Sequence, residues 1–263
     1  MNADQDGTFA GGFEEVVSDL RREFLDELAE HTRGLQLKAE EVRRGCCPIE
    51  DIARDARRIA VSIQGNASNL GFPMIETVAQ RMENFLADVK SFPPRALEDI
   101  VKYAEILTDF VEGREVDEDE TPHFVRSLPI KLGFDENEIE TRDVEIMLVM
   151  LHGTATRFVE RELRQCGYRT NAVASTFEAI PQIIRTKPDL VVVSAFMPDL
   201  SGIDLAIALA SMPATRNIPV AVITSLDPED EYLGLLPAHV PVILKGPSFG
   251  DDLADALDRL FII

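Results

Sequence analysis

The stretch DLVVVSAFMPDLSG, Asp189 to Gly202, decides the fold of this 263-residue chain. An apolar run, Leu190 to Val193, ends in Met-Pro, a polar turn and Gly202. Such a run reads as a strand buried on both faces and leaving a parallel sheet. It delivers its last inward residue, Ser194, to the rim where α/β proteins place their chemistry.

Working outward, the same alternation recurs from Val144 onward. Strands are expected at Val144–Leu151, Tyr168–Val173, Leu190–Ser194, Val220–Thr224 and Val240–Leu244. Helical stretches separate them at Thr154–Cys166, Thr176–Thr186, Ile203–Ser211, Pro228–Leu236 and Asp251–Phe261, the fourth being weak. Five βα units imply an α/β doubly wound, five-stranded parallel sheet over residues 143–263.

Residues 13–113 carry a different period. Phe13, Val17, Leu20, Phe24 and Leu28 form one stripe. Ile49, Ile52, Ala56, Ile59, Ile63, Ala67 and Leu70 form a second. Ile75, Val78, Met82, Phe85 and Val89 form a third, and Leu97, Ile100, Ala104, Leu107 and Val111 a fourth. Three- and four-residue steps mark the buried faces of amphipathic helices. GCCP (45–48), GFP (71–73) and FPP (92–94) separate them, with Pro73 and Pro94 suited to first turns. The reading is an all-α antiparallel four-helix bundle.

Between the halves, residues 114–142 read as an acidic linker or connector, REVDEDETPHF followed by the acids of 135–140. Phe124, Val125, Leu128 and Ile130 argue that part of it packs. The first twelve residues are polar and Gly-rich and are expected to fray.

The net charge is −21, and each of the three segments is acidic, which disfavours nucleic acid as a partner. No apolar stretch reaches the length of a membrane span. Cys46, Cys47 and Cys166 make neither a disulfide framework nor a zinc spacing, and a cytoplasmic setting is expected. No metal ligand set, cofactor motif or catalytic constellation stands out, so the chain is not read as an enzyme.

PDLVVVSAFMPDLSGIDL (188–205) resembles the central stretch of a two-component receiver domain, with GYRTNAVAS (167–175), ATRNIPVAVITS (214–225) and VILKGPSF (242–249) similar to that family's second, fourth and fifth strand regions. The resemblance places the phosphorylated aspartate on Ser194, the magnesium-binding acids on Met150 and Leu151, the hydroxyl residue on Thr224, the lysine on Lys245 and the switch aromatic on Val242. An acyl phosphate forms only on a carboxylate, and magnesium requires oxygen ligands. The family's chemistry is therefore expected to be absent. Ser194 also lacks the Gly-flanked elbow of a catalytic serine.

ARRIAVSIQGNASNLGFPMIETVAQRMENFL (56–86), preceded by FLDELAEHTRGLQ (24–36), resembles a histidine phosphotransfer domain. The resemblance places the phosphorylated histidine on Val61 and a lysine on Gln64. Val61 lies away from the Ile59–Ile63–Ala67 stripe and is expected to project outward, beside Arg54, Arg57 and Arg58. Single exposed apolar residues are common, but the family binds receivers through this surface. His31, His123, His152 and His239 have no evident partner residues that would make them substitutes.

The reading is a degenerate phosphotransfer-like domain fused to a degenerate receiver. It would act as a phosphorylation-incompetent adaptor that docks to a histidine kinase, receiver domain or response regulator. Homo-oligomers are compatible with it. The alternative is a small-ligand sensor, for a nucleotide or metabolite, using the receiver-like rim with Lys245 or an interdomain cleft.

Overall fold

Proline, glycine and apolar period together set where each helix of the N-terminal half begins and ends. A computed structural model describes residues 6–87, 92–93, 95–130, 142–246 and 249–261. It divides into two units, the first containing residues up to Asp117 and the second most of the rest.

In the first unit α1 (Asp6–Arg43), α2 (Ile49–Leu70), α3 (Pro73–Leu86) and α4 (Ala96–Val111) are helices. α1 packs on α2 and α4, and α3 on α2 and α4. α2 stops at Gly71, which adopts the left-handed conformation (φ 77°) while Phe72 N–H returns to Ala67 O at 2.9 Å. Pro73 then opens α3. The buried face of α2 is Ile52, Ala53, Ala56, Ile59, Ala60, Ile63 and Ala67, close to the expected stripe; Ile49 and Leu70 are only half-buried. Tyr103 of α4 is fully buried, and its hydroxyl donates to Pro129 O at 2.8 Å.

Two expectations fail in α1. Helix extends through Gly11 and Gly12 from Asp6, where fraying was expected. The stripe is buried only from Phe24 onward, through Leu28, Thr32, Leu35 and Ala39, whereas Leu20 is exposed and Val17 half-buried. Val89, Pro94 and the acids of 135–140 lie outside the described residues.

The second unit is a parallel sheet in the order β2-β1-β3-β4-β5. Its strands are β1 (Glu145–Val149), β2 (Arg169–Val173), β3 (Leu190–Ser194), β4 (Val220–Thr224) and β5 (Val242–Leu244). α6 (Thr154–Gln165) and α9 (Phe249–Phe261) cover one face, where Val159, Leu163, Leu253 and Leu257 meet Ile146, Leu148, Val192 and Ile223. α7 (Thr176–Thr186) and α8 (Gly202–Ser211) cover the other, with Ile183, Leu205 and Leu209 against Val149, Val191 and Val222.

The weak helix expected at Pro228–Leu236 does not form; the segment holds turns and one 3₁₀ turn at Leu233–Leu235. The Asp227 and Asp230 carboxylates accept from Glu229 N–H and Tyr232 N–H at 3.0 and 2.9 Å, capturing donors that a helix would need.

Part of the acidic connector is ordered. Thr121–Arg126 forms a short helix, α5, that belongs to the second unit and packs on α7. Phe124, Val125 and Leu128 are buried. Arg126 Nη2 lies 2.9 Å from Asp189 Oδ2, and that carboxylate also accepts Glu145 N–H at 2.8 Å. The connector is thereby pinned to the starts of β1 and β3.

Candidate functional site

β3 ends at Ser194 because the chain must turn sharply into α8. Gly202 N–H donates to Ala195 O at 3.0 Å. A Cβ on Gly202 would lie 2.0 Å from Ser194 O, so only glycine permits this approach of backbone to backbone. Ser201 caps α8 by accepting Asp204 N–H at 3.0 Å.

Ser194 itself is 6% exposed, and its hydroxyl donates to Phe196 O at 3.3 Å. That hydroxyl is spent locally on a carbonyl two residues on. Met150, directly after β1, is 2% exposed and is part of the apolar layer under α6 and α9. Leu151 is exposed, and its carbonyl accepts the Thr156 hydroxyl. His152 beside it is exposed too.

Thr224 closes β4 fully buried, its Oγ1 accepting Leu226 N–H at 3.0 Å. Lys245 follows β5, its N–H donating to Thr224 O at 2.7 Å. Its side chain is exposed, and desolvation alone moves the ammonium below the usual lysine range, with no carboxylate opposing the shift. Val242 is half-buried on the edge strand. The fold thus brings Ser194, Thr224 and Lys245 to the carboxyl ends of three adjacent strands, β3, β4 and β5. The donors at 150, 151 and 194 are a thioether, an alkyl group and a hydroxyl, which do not suit a hard cation such as magnesium. Among the described residues, no three His, Cys, Asp or Glu side chains converge as a metal set.

In the first unit, Val61 is 52% exposed, between the buried Ala60 and Ile63. Arg54, Arg57 and Arg58 are exposed and share its face at helical spacing, and Gln64 is half-buried. Arg54 pairs with Asp51 at 3.2 Å and Arg58 with Asp55 at 3.6 Å. Asp55 also accepts Lys38 of α1, and that bond raises the lysine's pKa above its ordinary value. His31 lines a shallow hollow between α1 and α2 with Ser62 and Asn66, its Nε2 3.9 Å from Glu27 Oε1. All three cysteines are free thiols, and desolvation pushes Cys47 up.

Sequence reasoning missed two working residues, Arg126 and Lys38. Gly202 was read as the end of the strand turn, and its close approach to the Ser194 carbonyl is what the structure adds. The arginine and lysine ties join residues 63 and 17 positions apart, and periodicity carries no such pairing.

No protein-family model matches the chain. A gliding motility regulatory protein of Myxococcus xanthus is 33% identical over 99 residues, covering 37% of this chain and 13% of that protein's length. The chemotaxis protein CheY of Pseudomonas aeruginosa is 24% identical over 119 residues, 45% of this chain and 96% of CheY. Among solved structures, the receiver domain of a histidine kinase from Syntrophus aciditrophicus has 32% identity, a TM-score of 0.41, and coverage of 45% of this chain and 90% of its own. A sensor histidine kinase receiver domain from Pseudomonas aeruginosa has 22% identity, a TM-score of 0.40, and coverage of 46% and 98%. The C-terminal part of the chain resembles a CheY-like receiver domain. No helix among the described residues is long and apolar enough to cross a membrane.

Proposed function

We propose that this protein is a signalling adaptor: a phosphotransfer-like four-helix bundle over residues 13–113, a connector over 114–142 and a receiver-like domain over 143–263, neither domain carrying a phosphoryl group. The observation that carries the reading is the state of the rim. Ser194 and Met150, at the positions of the receiver's aspartate and one of its metal-binding acids, are built into the fold as buried residues. A phosphoryl group in transfer needs its charge neutralised by metal and basic groups. Lys245 alone remains, desolvated and without an aspartate opposite. Leu151 and Val242 complete the list of replaced positions.

Function then rests on surface. Val61 stands exposed where the phosphotransfer histidine would be, ringed by Arg54, Arg57, Arg58 and Gln64. An apolar centre with a charged rim has the composition of a docking patch. The partner class is a receiver domain, response regulator or histidine kinase. The names of the curated relatives, a gliding motility regulatory protein and a chemotaxis protein, support a setting in motility or chemotaxis-type control.

The test is a pull-down from bacterial lysate with wild type and Val61→Glu, with circular dichroism on both. Loss of one or more signalling proteins from the folded variant supports the reading. An unchanged set of captured proteins moves the binding site elsewhere. The sensor alternative predicts a large thermal shift with a nucleotide or metabolite panel, which an adaptor does not show.

A further inference from the structure

We draw no further inference here: the strongest candidate, the exposed apolar face that Val16 and Leu20 form on α1 ahead of the buried Phe24, carries nothing because nothing in the structure shows what covers it.

Discussion

Met150→Asp restores, on paper, one of the acids a receiver needs; in this protein it should instead damage the sheet. Met150 is 2% exposed and packs in the layer formed by Ile146, Leu148, Val159 and Leu163. Truncating a buried methionine costs about 2–5 kcal/mol, because transfer and cavity terms add. The new carboxyl, without a base or metal beside it, has its folded-state pKa raised by desolvation. If that rise is about two units, the protonation penalty at neutral pH adds about 3 kcal/mol. The sum, about 5 kcal/mol or more, is comparable to the whole stability of a small domain. The sign with pH follows. The folded state holds a proton that the unfolded state releases near pH 4, so the penalty is largest at high pH and shrinks as pH falls through the raised folded value. Urea unfolding by circular dichroism at pH 5 and pH 8, with hydrogen exchange on the amides of β1, reads both effects. The chain has two units, so the exchange data assign the loss to the sheet. A loss below about 1 kcal/mol that does not vary with pH would sink the reasoning. It would mean that position 150 opens to water and tolerates a carboxylate as a working site does.

Gly202→Ala places a methyl 2.0 Å from Ser194 O, a backbone atom that cannot swing away. A loss of about 3 kcal/mol or more is expected in the same unfolding assay, and a neutral result refutes the close approach. Arg126→Ala removes the tie to Asp189, so limited proteolysis should cut near Thr121–Arg126 earlier than in wild type; equal cleavage times would show that burial of Phe124 and Val125 suffices alone. Arg57→Glu with Arg58→Glu should slow association with a captured partner and change its salt dependence while leaving the melting temperature in place, measured by surface plasmon resonance at two ionic strengths. The Lys38–Asp55 bond raises the lysine's folded pKa, so its contribution is present below the ordinary value of 10.5 and fades as pH rises through the folded one; Asp55→Asn should remove that alkaline decline.

Much of the fold was legible because period and punctuation agree. The Leu190–Val193 run, its Met-Pro exit and Gly202 read as a buried strand and a tight turn, and the structure has both. The α2 stripe was readable almost residue by residue. Other features lay beyond periodicity. Val17 and Leu20 keep helical spacing with Phe24, but spacing does not reveal where the neighbouring helices stop. Pro228 to Leu236 carries enough apolar residues for a helix, while its aspartates hold the backbone in turns. In the connector, Phe124 and Val125 signalled packing from the sequence, whereas the α5 helix and the Arg126–Asp189 tie carried no periodic signal. At the rim, the sequence named Ser194, Thr224 and Lys245, and the topology puts them on adjacent strand ends. That the Ser194 hydroxyl is committed to Phe196 O needed coordinates.

The central claim is that signalling here proceeds without phosphoryl transfer, and the direct measurement is intact-mass spectrometry of the full chain after incubation with acetyl phosphate and magnesium. The account predicts an unmodified mass for wild type and for Ser194→Asp alike, because position 150 supplies no metal ligand. A magnesium-dependent gain of one phosphoryl group on the wild-type chain would contradict it.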